Sequence, residues 1–127
     1  QAQPTHPAPG QVLQQYPQIL SSLRDAAAVL VQLRIPADLI HFRGHFEELP
    51  LLPGVVQVDW AIQLGRQHFE IPANFHRLSA LKFMRVIQPG SELALRLEYS
   101  GAGELRFRYS EGEETCSSGR LFFRDAG

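Results

Sequence analysis

Val55 to Phe69 reads VVQVDWAIQLGRQHF, and the fold follows from how this stretch is placed. Val55, Val56, Val58, Trp60, Ala61, Ile62 and Leu64 put apolar groups almost all round a 3.6-residue helix. A helix of that kind is buried rather than laid on a surface. It is expected to stop before Pro72, whose ring and missing N–H do not suit a helix interior. At 100° per residue, Asp59, Gln63 and Arg66 fall on one narrow stripe.

Outward from the helix the text changes period. Leu93, Leu95, Leu97 and Tyr99 share one face of an alternating run, and Leu105, Phe107 and Tyr109 repeat the pattern. Gly101-Ala102-Gly103 and Glu111-Gly112-Glu113 are turns, and Thr115–Arg124 closes the series. Short turns between alternating runs mean antiparallel hairpins. His76–Ile87 reads as a further strand stopped by Pro89-Gly90. On the N-terminal side, Val29, Val31, Leu33 and Ile35 make Ala26–Ile35 a half-buried strand ended by Pro36. Gln11–Leu23 is open between a short helix and a strand broken at Pro17. Asp38–Phe42 can form one helical turn, and Gly44–Gly54, with two prolines and two glycines, is irregular. The expected architecture is α+β: a strand, a buried helix and a meander of four strands, the helix covering one face of the sheet.

The chain has 127 residues, which predicts one domain. Residues 1–11, rich in Gln and Pro, are expected to be a disordered arm before a single domain over 12–125. Twelve Lys+Arg against thirteen Asp+Glu leave a formal charge of −1, which argues against a nucleic-acid binder. The single Cys116 excludes an intramolecular disulfide and a cysteine zinc cluster, and reads as a packing residue. No apolar run approaches a membrane span, and no basic segment leads into an apolar one as in a secretory signal. A cytoplasmic location is the default expectation.

Three residues are candidates for chemistry. His45 lies in Gly44-His45-Phe46, just ahead of the helix; a loop His is ordinarily structural or solvated, and a neutral imidazole can be a general base. Asp59 stands on an otherwise apolar helix, where it is either part of a surface stripe or a carboxyl held protonated by desolvation. Gly54 precedes the first turn and is either a turn glycine or a close-approach position. There, free N–H groups can receive an oxygen that gains negative charge. The set suits proton removal next to a carbonyl with loss of a β-hydroxyl. His41, His45, Asp38 and Glu47 have no known ligand spacing, so neither a metal nor another cofactor is expected.

Phe42 to Trp60, FRGHFEELPLLPGVVQVDW, resembles the signature of the hotdog-fold β-hydroxyacyl thioester dehydratases. That pattern is roughly F-x-G-H-F-x-x-x-P-x-x-P-G-x-x-x-x-[DE]. His45, Pro50, Pro53, Gly54 and Asp59 fall in register without a gap. Leu78 to Leu97, LSALKFMRVIQPGSELALRL, is similar to the family's strand and Pro-Gly turn. The likeness covers about Ile35 to Phe123. Asp59 rather than Glu resembles the FabA type over the FabZ type, and LPGVVQ followed by Asp59-Trp60-Ala61 most resembles the ApeI-like dehydratases of aryl polyene pathways. Glu47 departs from the proline often found after Gly-His-Phe.

The resemblance implies a hotdog fold, a sheet wrapped round one long helix, and a homodimer with an acyl tunnel at its interface. The implied substrate is a 3-hydroxyacyl group on acyl carrier protein. In that reading His45 takes the α-proton, Asp59 assists loss of the hydroxyl as water, and the Gly54 N–H holds the thioester oxygen. Phe46, Pro53, Trp60 and Gln63 line the tunnel. Arg77, Lys82 and Arg85 are either carrier-docking cations or a solvated strand face. His and carboxylate come from opposite subunits in the family's sites. The alternatives are a hotdog thioesterase, whose helix carboxylate activates water, and a non-catalytic acyl-binding subunit.

Overall fold

The computed structural model describes residues 16–37 and 51–125. The proposed arm, the turn at Asp38–Phe42, and both His45 and Phe46 lie outside the described residues. Strands β1 (Gln18–Asp25), β2 (Ala28–Arg34), β3 (Asn74–Phe83), β4 (Glu92–Tyr99), β5 (Glu104–Glu111) and β6 (Glu114–Arg124) accompany helix α1 (Gly54–His68). They form one six-stranded sheet in the order β1-β2-β4-β5-β6-β3. Every pairing is antiparallel.

The alternation read in the sequence is the burial pattern of the central strands. Val29, Val31 and Leu33 of β2, Leu93, Leu95 and Leu97 of β4, and Leu105, Phe107 and Tyr109 of β5 all face inward. Successive strand side chains point to opposite faces, so one face of the sheet is apolar and needs a cover. Helix α1 supplies it, packing across β4 and β5. Val56, Trp60, Ala61 and Leu64 enter the same core as the strand residues. Close approach is required at Gly65, where an added Cβ would sit 2.8 Å from a Leu105 methyl.

Three expectations are corrected. Gln18–Asp25 is a strand, so the ambiguity over Gln11–Leu23 resolves as strand for its described part after Pro17. Every residue of β1 is exposed, so no alternation marks it in the sequence. Its hairpin to β2 is the two-residue turn Ala26-Ala27, with Ala26 at φ 36°, where sequence offers no Gly or Asn. Second, the four later strands are not a simple meander. β4, β5 and β6 are, but β3 pairs with β6 at the far edge. It ends at Phe83 rather than Ile87, after register shifts that include Ala80 at φ 53°. Residues 84–91 then cross back to β4, tied down by Met84 and Arg85 N–H groups on the Cys116 carbonyl. Third, α1 is not buried all round: Val55 is 76% exposed, and Asp59, Arg66 and Gln67 also face outward. One sheet covers only one side of a helix.

Gly103 closes the β4–β5 turn at φ 86°, and a Cβ there would lie 2.5 Å from the Phe123 carbonyl oxygen. Gly112, at φ 62°, has open space around it. Gly103→Ala is therefore expected to cost roughly 2–3 kcal/mol of stability, and Gly112→Ala only about 1 kcal/mol, since strain alone operates there. Urea denaturation midpoints of the two variants check the difference.

Candidate active site

The lead-in to α1 explains where its N–H groups go. Pro53 is the N-cap, in extended conformation, and its carbonyl accepts from Val56 and Gln57 N–H. Proline has no polar side chain with which to cap, and the first turn carries no acidic residue. Among the described residues no side chain caps the first N–H groups of the helix, and its positive dipole end suits an oxygen ligand. Gly54 lines a groove of about 280 Å³ together with Leu51, Leu52, Gln57, Phe83 and Arg85. The Phe83 ring lies directly against it; a Cβ on Gly54 would sit 2.5 Å from the ring. A side chain at this position would push the exposed Phe83 ring aside.

Leu52, two residues before Gly54, is held from two sides. Leu52 N–H donates to the Ile87 carbonyl at 2.7 Å, using the crossing segment between β3 and β4. The Leu52 carbonyl accepts from Gln57 Nε2 at 3.1 Å. Gln57 is 3% exposed, and Ser117 Oγ donates to its Oε1 at 2.6 Å. The Tyr109 hydroxyl donates to the Gln57 carbonyl at 2.7 Å. Tyr109 and Ser117 are cross-strand neighbours on β5 and β6, so the two hydroxyls are delivered together. The sequence reading passed over all three. The available signal was Gln57 itself, a polar residue set apart from the Asp59 stripe on an otherwise apolar helix.

Asp59 lies on the side of α1 that the sheet leaves open. Its Oδ2 accepts from Gln63 Nε2 at 2.6 Å, one turn along the same helix. Burial pushes the Tyr109 phenol well above its usual range, and the Asp59 charge adds to the shift. Arg66 belongs to the same stripe but turns away from Asp59. It donates to the carbonyls of Ile71, Pro72 and Ala73, and its guanidinium covers the Phe123 ring.

The residues proposed to line a tunnel separate. Pro53 stands at the helix head beside the Gly54 groove. Trp60 is 1% exposed in the core and, with Gln63, borders a smaller cavity of about 100 Å³ under Tyr16, Pro17 and Ile19. The proposed docking cations are exposed on and just after β3. Arg77 stacks on Phe122 at 4.0 Å, and Arg85 is ion-paired with Glu114. Among the described residues no group of three His, Cys, Asp or Glu side chains could hold a metal ion, and no helix is long and apolar enough to cross a membrane.

Residues 21–120 match the ApeI-like family, described as ApeI dehydratase. The chain is 30% identical over 100 residues to the 3-hydroxyacyl-[acyl-carrier-protein] dehydratase FabZ of Natranaerobius thermophilus, with 70% of each protein covered. Among solved structures it is similar to a chain of the dehydratase heterocomplex ApeI:P from Xenorhabdus doucetiae. That likeness has a TM-score of 0.77 and 31% identity, and covers 84% of this chain and 96% of the other. An uncharacterized protein from Erwinia carotovora subsp. atroseptica is also 31% identical, with a TM-score of 0.67 and coverage of 84% and 94%.

The Tyr109 hydroxyl generates a prediction of its own. Gln57 keeps its helical hydrogen bond without it, so Tyr109→Phe is expected to cost only about 1 kcal/mol at pH 8. A folded-state phenol raised above its unfolded value contributes stability below the unfolded pKa, near 10, and loses it as pH climbs towards the folded one. The stability advantage of the wild type over Tyr109→Phe should therefore shrink above about pH 10. Urea titrations of both proteins at pH 8, 10 and 11 measure it.

Proposed function

The chain belongs to the ApeI-like dehydratase family, and we propose that it removes water from 3-hydroxyacyl thioesters presented on acyl carrier protein, giving trans-2-enoyl thioesters for fatty acid or polyene synthesis. The observation that carries the reading is the pairing of two features on α1. An uncapped helix head at Gly54 opens onto a groove. Five residues on, the Asp59 carboxylate stands on the open side of the same helix.

In the proposed reaction the thioester oxygen rests on the Gly54 N–H, where the helix dipole favours the negative charge that grows on it. The His45 imidazole takes a proton from C2. The electron pair forms the C2–C3 double bond, and the C3–O bond breaks as Asp59 gives its proton to the departing hydroxyl. Water leaves, and transfer of a proton from His45 back to Asp59 resets the pair. Proton donation by Asp59 requires that it be taken out of water.

A second subunit over the open side of α1 would do so, and the edge of the sheet supports a homodimer. Among the described residues β3 is a ten-residue edge strand, half-buried at Ser79 and Leu81 and exposed elsewhere, including Phe75, Leu78 and Phe83. An unpaired edge of that length with exposed aromatic residues is one that natural proteins cover. The similar Xenorhabdus doucetiae chain comes from a heterocomplex. A chain that remains at 14.3 kDa in solution and associates only with a second dehydratase would therefore replace the homodimer by a mixed pair.

Absorbance of the enoyl thioester, followed with 3-hydroxyacyl carrier-protein substrates, tests the activity; free thiol release in its place would make the chain a thioesterase. His45→Ala and Asp59→Asn are each expected to lower turnover by at least about 10²-fold, the scale of losing a general base or acid. Co-refolded, the two inactive variants should recover about a quarter of wild-type activity, because random pairing makes half the dimers mixed and each mixed dimer restores one of its two sites. No recovery despite subunit exchange would place both groups of a site in one chain.

Arg77, Lys82 and Arg85 remain the proposed carrier-docking cations. Two of them already have partners in Phe122 and Glu114, leaving Lys82 as the simplest probe. Apparent KM for carrier-bound substrate should rise with salt, and that for a short pantetheine thioester should not. Equal salt responses would return the three residues to a solvated strand face.

A further inference from the structure

Gln57 is the most thoroughly bonded polar residue in the core, and nothing in the proposed chemistry consumes it. Its amide is buried, with Nε2 on the Leu52 carbonyl and Oε1 accepting from Ser117. Its backbone carbonyl accepts from Tyr109. A buried amide is costly unless paired, and a fully paired one admits a single geometry. Here that geometry has a direction. Ser117 and Tyr109 are fixed on two central strands, whereas Leu52 belongs to the lead-in of α1. The side chain thus spans from sheet to lead-in. Leu52 is two residues before Gly54, and Pro53 between them allows little rotation. With Leu52 N–H held by Ile87, both polar groups of this one peptide residue are pinned.

We propose that Gln57 is a positioning residue: through the Leu52 carbonyl it sets the direction of the Gly54 N–H at the helix head, and so acts on the reaction through the backbone. The catalytic part rests on the reading in which Gly54 holds the thioester oxygen. The clamp itself does not. An oxyanion donor must meet an oxygen at hydrogen-bond distance with good alignment, and misplacement of a donor reduces turnover more than substrate binding. The groove walls at Leu51 and Phe83 do not depend on the amide for their apolar character.

Gln57→Met keeps the length of the side chain and removes both side-chain hydrogen bonds. Gln57→Glu is the conservative partner: protonated, it can donate to the Leu52 carbonyl and accept from Ser117, and ionised it can only accept. Two readouts separate the clamp from the chemistry. In ¹⁵N NMR spectra of the full chain, Gln57→Met should shift and broaden the Gly54 amide while the amides after Trp60 stay in place. In the dehydration assay, with folded fraction checked by circular dichroism, Gln57→Met should lower kcat about tenfold with KM within about twofold, the pattern of a lost transition-state interaction. Gln57→Glu should exceed Gln57→Met in kcat at pH 5.5 and lose that lead as the pH rises to 9.

An unmoved Gly54 amide in folded Gln57→Met overturns the clamp, whatever the activity. A moved amide with wild-type kcat overturns its role in turnover, as does equal loss in both variants at every pH. Absence of dehydration by the wild type would instead dismiss the proposed reaction and leave the NMR comparison to judge the clamp.

Discussion

A single sheet can cover only one side of a helix, and much of this molecule follows from that geometry. Trp60, Ala61 and Leu64 turn towards the sheet and are lost to solvent, while Val55, Asp59 and Arg66 remain on the other side. Val58 and Ile62 still pack against the core, whereas Val55 is left exposed. An exposed valine at the second residue of the helix and an exposed, aromatic-bearing edge strand are surfaces suited to a neighbouring subunit. The carboxylate proposed for chemistry lies on the same side of the helix as Val55, one turn along.

The two ends of α1 are tied down by different means. At the C-terminal end Arg66 reaches the carbonyls of residues 71–73, and Arg24 from β1 donates to the His68 carbonyl while covering the Phe69 ring. These are cationic groups on the negative end of a dipole, the favourable arrangement. At the N-terminal end no comparable charge is used among the described residues. Direction comes instead from Gln57, Tyr109 and Ser117, buried beneath the first turns. Had an acidic cap been placed there, it would have occupied the N–H groups that a substrate oxygen needs. Fixing the helix from below leaves its head open.

Packing near Gly54 adds a second constraint. Phe83 closes on the glycine from the end of β3, and residues 84–91 continue from it past the helix lead-in to β4. The strand that forms the exposed edge therefore also shapes the groove. A change at that edge is coupled to the groove by a few covalent bonds rather than by a long chain of contacts.

Features that depend on period and on local chemistry were legible along the chain. Alternation in β2, β4 and β5 marked the inward faces, Gly101 to Gly103 and Gly112 marked turns, and the apolar run from Val55 marked the helix to within a residue at each end. The spacing of His45, Gly54 and Asp59 carried the resemblance that the family match bears out. β1 left no such mark, because all its residues are exposed and its turn is made by two alanines. The place of β3 beside β6 was equally silent, since antiparallel order at a distance depends on how residues 84–91 cross the sheet end rather than on any residue in β3. Gln57 is the sharpest case. Its position on the helix was plain, but its partners are 52 and 60 residues away in the chain. That this amide is buried between two strands and the helix lead-in emerges with the packed fold, because hydrogen-bond pairing in a core is set by where the sheet places its acceptors and donors in space.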